Sequence, residues 1–481
     1  MTESPAFRRA KILCTLGPAS RDPETFASLV KAGMDGVRVN FSHSSHEHAA
    51  QAVELARATA AEYDRPISVL ADLQGPKIRV GNLVTPIQVE AGDYYLVYPE
   101  EDQVPQPEDG YHVIPSTYPD LATDLGPGDR VLFDDGRIEL TVSEIRSDGV
   151  LLEALEGGVL SSGKGINLPG TEVGAPSLTE KDREDAERAL DLGVDYIALS
   201  FIRRQDDMDE LRALVQGRAL LIAKIEMAQA LRNLHGILAN ADGVMVARGD
   251  LGVELDFEEV PLVQKRILRL TSETPKLGIT ATQMLESMIV SSRPTRAEVS
   301  DVANALLDGT DTVMLSAETA VGAHPVDSVR TMARIIRRIE REPVTGADAP
   351  GARFRGLAPV HHTVSGAVAG AAAEATERLG APFLVTFTNS GFTARLQSAQ
   401  RLDVPILAVT DQLRTWSQLA LFYGTVPLLL EGEANYEAML SLARTFALEN
   451  GLGAEGDAFV VTAGVPFHVP GTTNYMRIET L

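Results

Sequence analysis

The sequence predicts an α/β protein: a (β/α)8 TIM barrel with an inserted all-β lid domain and a C-terminal α/β domain with a mainly parallel sheet. Three observations predict it. Short β-branched apolar runs alternate with helical periods through the first two-thirds of the 481 residues. That rhythm stops once, between about Arg79 and Pro176, where turn signals and short strands replace long amphipathic helices. It stops again at a Pro-, Gly- and Ala-rich stretch, Glu342–Pro359, which reads as a linker. Eight strands with intervening helices, interrupted once, fit a barrel. A doubly wound open sheet is the competitor on pattern alone.

The elements follow in order. KILCTLG (Lys11–Gly17), DGVRVNF (Asp35–Phe41) and ISVLADL (Ile67–Leu73) are strands separated by the helical stretches ETFASLVKAG and EHAAQAVELARATAAEY. The turn signals PGD, DDG, SDG and EGG punctuate the insertion. SLTEKDREDAERALDLG restores the helical period. YIALSF (Tyr196–Phe201), LLIAKIE (Leu220–Glu226), GVMVAR (Gly243–Arg248), KLGITAT (Lys276–Thr282) and TVMLSAE (Thr312–Glu318) complete the set. Beyond the linker, PFLVTF, PILAVT, VPLLL and AFVVTAG alternate with helices. The predicted boundaries are a barrel over 1–78 and 177–345, a lid over 79–176 and a C-terminal domain over 346–481.

Composition narrows the function classes. A formal net charge of -24 argues against nucleic-acid or anionic-membrane partners, and it obliges any site for anions to gather its own cations. One cysteine, Cys14, excludes an intrachain disulfide and fits a reducing cytoplasm. No run approaches the roughly 18 apolar residues of a membrane span, and the N-terminal residues carry no signal-peptide core; a cytoplasmic location is expected. Eight of the 43 basic residues are lysines, so each retained lysine draws notice as a compact ammonium that a guanidinium cannot replace.

Polar residues cluster at the predicted strand ends, which in a barrel converge on one mouth. They include Arg38, Asn40, Ser42 and His43 after the second strand and Asp72, Lys77 and Arg79 after the third. Lys224 and Glu226, Arg248 and Asp250, Thr280 and Thr282, and Ser316 and Glu318 end later strands. Lys224 and Glu226 share a strand face. They could be a buried ion pair; with Asp250 nearby, the two carboxylates also suit Mg2+, which takes oxygen ligands and keeps waters for substrate. The glycines of RGDLG free backbone amides beside Asp250 for an anion. Thr282 stands where a helix N-terminus would also favour one, or is simply a cap.

The motifs RVNFSH (Arg38–His43), DLQGPKIR (Asp72–Arg79), GKGINLPG (Gly163–Gly170), LTEKD (Leu178–Asp182), AKIE (Ala223–Glu226), ARGDLG (Ala247–Gly252), ATQMLESM (Ala281–Met288), RPTRAEVSDVANALLDG (Arg293–Gly309) and MLSAET (Met314–Thr319) resemble those of the pyruvate kinases, with GTTN (Gly471–Asn474) a weaker match. The resemblance implies phosphoryl transfer from phosphoenolpyruvate to ADP, giving pyruvate and ATP, by a homotetramer. It implies that Glu226 and Asp250 hold one Mg2+, a second arriving with the nucleotide, and that Lys224 and Arg38 face the transferring phosphoryl group. The amides of Gly249 and Asp250, with Thr282, would take the substrate carboxylate, Thr282 lying near the enolate face. Pro18, Asn40, His43, Arg79 and Lys181 would contact the nucleotide, and Asp135 would enter from the lid.

Two departures refine the expectation. Many members carry Thr-Lys-Gly-Pro-Glu where this chain has Leu73-Gln74-Gly75-Pro76-Lys77. Their Glu accompanies a bound K+, with counterparts of Asn40, Ser42 and Asp72; here the Lys77 ammonium stands in, so K+ independence is expected, the bland alternative being a surface ion pair. The loop TNSGFTAR, with Thr388, Asn389, Ser390, Gly391, Thr393 and Arg395, resembles the effector loop, but Phe392 replaces a frequently basic residue. A phosphorylated effector such as AMP or a sugar monophosphate fits better than a bisphosphate; a plain helix cap is the alternative. Rival readings are a magnesium-dependent aldolase or lyase barrel, which would need no ADP, and an inactive scaffold, which would have lost Lys224, Glu226 or Asp250.

Overall fold

The computed structural model describes residues 7–106, 111–341, 363–466 and 473–481. Strands β1 (Lys11–Thr15), β2 (Gly36–Asn40) and β3 (Ser68–Leu73) open the chain. The insertion follows with β4 (Ile87–Val89), β5 (Tyr94–Pro99), β6 (His112–Ser116), β7 (Arg130–Phe133), β8 (Ile138–Arg146), β9 (Gly149–Glu156), β10 (Gly158–Leu160) and β11 (Ile166–Asn167). The barrel resumes with β12 (Tyr196–Leu199), β13 (Leu220–Ile225), β14 (Gly243–Ala247), β15 (Leu277–Ala281) and β16 (Thr312–Leu315). All eight barrel strands are parallel, and β16 closes on β1 from Lys11–Thr312 to Cys14–Leu315. The open-sheet competitor is thereby excluded.

Side-chain alternation divides each barrel strand between two cores. Leu13, Leu70, Tyr196, Ala198, Ile222, Met245, Ile279 and Met314 fill the barrel interior. Their neighbours Ile12, Val69, Leu221, Ala223 and Val246 pack under the surrounding helices. The same parity places Asp72 two residues beyond Leu70, Ser200 beyond Ala198 and Lys224 beyond Ile222, so a cluster of polar groups enters the interior at its upper end.

The insertion is a curled six-stranded sheet with the order β11-β7-β8-β9-β5-β6, plus the pair β10-β4. Tyr95, Val97, Phe133, Leu140 and Leu152 form its own core. It is not wholly β: Leu121–Asp124 makes one helical turn, and β5 pairs with β6 in parallel. Arg203, at the end of the segment after β12, donates to the carbonyls of Val173 and Ala175 and to Ser177 Oγ, fastening the insertion's exit to the barrel.

The C-terminal domain has strands β17 (Leu384–Phe387), β18 (Ile406–Thr410), β19 (Thr425–Leu429), β20 (Ala458–Ala463) and β21 (Tyr475–Thr480). The order β19-β18-β17-β20-β21 is parallel except for β21, an antiparallel edge strand that sequence reading did not foresee. The linker expected at Glu342–Pro359 and the glycine of GTTN lie outside the described residues. No helix among the described residues is long and apolar enough to cross a membrane.

The barrel base is closed by this domain. Leu419, Leu421 and Phe422 join the interior core, and Thr312 Oγ1 donates to the Leu421 carbonyl at 2.7 Å. Arg401 is the main polar anchor. Its guanidinium meets Asp311 at 2.9 Å and the Gly309 carbonyl at 2.6 Å, and it stacks over the Tyr423 ring at 4.4 Å. Burial pushes the Asp311 carboxyl up, and Arg401 opposes that push. Arg401→Ala leaves Asp311 buried and unpaired, and should cost about 3–5 kcal/mol, read as a lowered midpoint in thermal or urea unfolding.

Candidate active site

The site begins with Lys224, buried on β13 at the barrel mouth. Its ammonium donates to Ser200 Oγ at 2.6 Å and lies 2.9 Å from Glu226 and 3.3 Å from Asp72. Burial works against its charge, but the carboxylates of Asp72 and Glu226 outweigh burial and hold it above the usual lysine range. Arg38, on β2, binds the other face of Asp72, with Nε and a terminal nitrogen each 2.7 Å from Oδ2. Burial alone would raise the Asp72 carboxyl; Lys224 and Arg38 hold it below its ordinary value.

Glu226 accepts the Phe201 backbone N–H at 2.9 Å, and Phe201 adopts a left-handed φ of 57° to present it. Burial pushes the Glu226 carboxyl up, Lys224 opposes, and the charge of Asp250 adds to the rise. The charges of Glu226 and Asp250 thus oppose each other, with the Lys224 ammonium paired to Glu226. A divalent cation would relieve that conflict, so the donor set fits one.

Beside them the turn after β15 carries consecutive left-handed residues, Thr282 (φ 69°) and Gln283 (φ 55°). Such backbone costs energy for residues with a Cβ and needs external support. Arg248 supplies it: the guanidinium donates to the Thr282 carbonyl at 2.7 Å and is braced by Asp301 at 2.6 Å. Arg248 is therefore committed to the turn. Gly249 N–H donates to Thr282 Oγ1 at 2.9 Å, and the hydroxyl donates in turn to the Ala281 carbonyl at 2.7 Å. Thr280 bonds Thr310, and Glu318 is wholly buried on the amides of Leu285 and Ser316. These strand-end polar groups are structural.

Pro18, Asn40 and His43 line a cavity of ≈ 360 Å³ with Arg21, Gln51 and Leu55. Burial, then the cations Arg79, Lys77 and Arg38, lower the His43 pKa. Asn40 Oδ1 accepts the Ser42 amide at 3.1 Å. Arg79 reaches across to the Gly163 carbonyl of the insertion. Lys181 donates to the Phe41 carbonyl at 3.0 Å; its helix is set by the Thr179–Asp182 capping box, and Asp182 also accepts Gly75 N–H at 3.0 Å. Gly75 has φ 68°, and a Cβ there would stand 2.9 Å from the Ser200 carbonyl, so only glycine fits. Lys77 is half-buried and forms no ion pair among the described residues. It lies with Asp135 beside Gly165, where an added Cβ would be 3.5 Å from Lys77 Cε and 3.8 Å from Asp135 Oδ1.

The residues of the TNSGFTAR loop lie apart, in the C-terminal domain. Thr388 and Thr393 are buried, Thr393 on Thr473 at 2.8 Å; the Asn389 carbonyl accepts from Thr415, and Ser390 is exposed beside Gly391. Arg395 turns away from the loop, 3.8 Å from Asp242 of the barrel.

A (β/α)8 barrel with a buried ammonium, a guanidinium and paired acids at its mouth, overhung by an inserted β domain, is an enzyme built to handle anions. The chain matches the family description "Pyruvate kinase, barrel domain" over residues 7–329 and "Pyruvate kinase, alpha/beta domain" over 366–479. It is 44% identical over 478 residues to a pyruvate kinase of Mycobacterium intracellulare, covering 98% of both chains. It is 43% identical to that of Mycobacterium tuberculosis, again across 98% of each. Against pyruvate kinase 2 of Synechocystis sp. the identity is 41%, over 100% of this chain and 80% of the relative. The chain belongs to the pyruvate kinase family, whose members are phosphotransferases.

Sequence reading did not assign Ser200, although its parity with Tyr196 and Ala198 marks it as inward-facing. It also missed the Arg248–Asp301 brace and Glu254, which nothing local announces. Glu254 lines a small cavity with Lys77, Phe201 and Arg203 between barrel and insertion. Burial, with Asp250 adding, raises its carboxyl from 4.5 to about 7. A raised folded pKa favours the protonated form, so this group's contribution to stability is lost as pH rises through about 7. Glu254→Gln should therefore raise the thermal midpoint at pH 8.5, by up to about 3 kcal/mol in stability, with the gain shrinking toward pH 5.

Proposed function

We propose that the chain transfers the phosphoryl group of phosphoenolpyruvate to ADP at the barrel mouth, with Mg2+ held by Glu226 and Asp250. The observation that carries this reading is the Lys224 ammonium, buried yet kept charged between Asp72 and Glu226. A lysine so held is no proton donor near neutrality. Its use is to stabilise charge on a migrating phosphoryl group, a reaction that asks for positioning and neutralisation more than covalent help. Arg38 supplies a second cation at the same place. The ion, when bound, would add Lewis-acid stabilisation of substrate oxygens. Asp250 forms no ion pair among the described residues and is the acid best placed to join Glu226 in holding it. Thr282, whose backbone carbonyl Arg248 holds, is the residue that would lie near the enolate left after transfer.

The nucleotide reading rests on the cavity lined by Pro18, Asn40 and His43, with Lys181 and Arg79 on its approaches. Asp135 and Gly165 of the insertion, packed near Lys77, give the lid its route to the mouth. Closure would exclude water and so limit hydrolysis of the transferring group. The loop Thr388–Arg395 remains the candidate for a phosphorylated effector. The unpaired outer edge of β21, with Met476 and Ile478 exposed, supports self-association into the expected homotetramer.

Lys77 carries the reading of K+ independence. It is half-buried, unpaired among the described residues and close enough to His43 to depress its pKa. A surface ion pair is thus the weaker account of it.

Pyruvate should form from phosphoenolpyruvate only when ADP and Mg2+ are both present, and Lys224→Ala should lower kcat by roughly 10³-fold or more. Pyruvate release without ADP would instead favour a lyase. Turnover should survive replacement of K+ by tetramethylammonium at constant ionic strength, and Lys77→Glu should make it K+-dependent; loss of wild-type turnover without K+ would refute the assignment of Lys77.

A further inference from the structure

Lys181 sits at the second position of the helix Glu180–Asp191, with about half of its side chain exposed. A lysine so placed would ordinarily sweep many rotamers. Here it does not. Asp185, one helical turn on, holds its ammonium at 2.5 Å. Unlike the acid of a common surface pair, Asp185 is buried, with 5% of its side chain exposed. Its second oxygen is 2.7 Å from His46 Nε2, which donates to the carboxylate. One buried carboxylate is thus fixed by two donors from different elements.

His46 is the first residue of the helix His46–Tyr63, immediately after the segment Asn40–Ser45. That segment lines the ≈ 360 Å³ cavity with Asn40, His43 and Ser44. It also gives Lys181 its other partner, the Phe41 carbonyl, and the Phe41 ring lies 6.4 Å from that of His46. Asp185 therefore ties the loop that forms one wall of the cavity, through His46, to the Lys181 ammonium that also bonds that loop at Phe41. Of the three N–H groups on the Lys181 ammonium, two are committed to Asp185 and Phe41, which leaves one for an incoming anion.

We propose that Asp185 and His46 are a positioning pair for the nucleotide: they hold Lys181 and the Asn40–Ser45 loop in the arrangement that receives the phosphates of ADP. The inference rests on the reading of Lys181 as a nucleotide contact. Neither residue touches the reacting atoms. Their effect is on nucleotide binding rather than on the transfer step. Asp185→Asn removes a negative charge from the neighbourhood of an anionic ligand, so electrostatics alone would tighten ADP binding. Positioning predicts the reverse sign, and the sign decides between the two.

The test is steady-state kinetics on the full-length enzyme with ADP and phosphoenolpyruvate varied in turn, together with thermal midpoints. Asp185→Asn should raise KM for ADP on the order of tenfold. The kcat and the KM for phosphoenolpyruvate should stay within about twofold of wild type. His46→Ala should move KM for ADP in the same direction, and His46→Gln, which keeps an N–H donor, should recover part of it; the half-exposed His46 carries the test should Asp185→Asn not fold. In a Lys181→Ala background, Asp185→Asn should add little. An unchanged or lowered KM for ADP in Asp185→Asn and His46→Ala, with Lys181→Ala still raising it, overturns the positioning role while leaving Lys181 a nucleotide contact. No effect of Lys181→Ala itself overturns that contact and the inference with it. A shift in thermal midpoint with no change in KM identifies a purely structural pair.

Discussion

An ammonium taken out of water at the depth of Lys224 would ordinarily give up its proton, because burial penalises the charged form. Asp72 and Glu226 prevent that, and they in turn remain acceptable in the interior because Arg38, Lys224 and the Phe201 amide satisfy them. The balance is deliberate in its sign. Two cations stand against Asp72, Glu226 and Asp250, which leaves the mouth with one surplus negative charge. A divalent ion held there would reverse that surplus and make the mouth more attractive to an anion. In a chain of net charge -24, such local cations would let the mouth accept an anion without a basic surface.

Around that cluster, loops are held by side chains that bond backbone groups. Arg248 supports the left-handed Thr282–Gln283 turn with Asp301 behind it. Arg203 secures the exit from the insertion. The capping-box acid Asp182 binds both Thr179 and the amide of Gly75, linking the entry to the insertion with the helix that carries Lys181. Both ends of the inserted domain are therefore anchored to elements that also carry site residues.

The opposite end of the barrel is closed by the C-terminal domain. Apolar residues Leu419, Leu421 and Phe422 complete the interior core from below, while Arg401 and Asp311 fix the orientation. Arg395, from the loop that resembles an effector site, reaches Asp242 between β13 and β14. The strand β13 carries Lys224 at its other end. The distance between base and mouth is thus spanned by one strand.

Much of this was legible in the chain. The eight barrel strands fall where β-branched runs alternate with helical periods, because a parallel strand buried on both faces needs such a run. Period-two alternation within LLIAKI was enough to put Lys224 inward with Ile222, and the motif order was enough to define the family. Long-range partnership was not legible. Nothing near Arg248 in sequence announces that it will be spent on Asp301 and a strained turn, nothing near Glu254 announces its burial, and the exposed alternation of Tyr475–Thr480 looks no different from a loop until β20 pairs with it. Periodicity is a property of neighbours along the chain, so sequence determined which residues are strands and which face each side chain takes. Which charges share a carboxylate, and which arginine is free to meet a substrate, depends on separations between residues tens to hundreds of positions apart, and only closure of the barrel decided those.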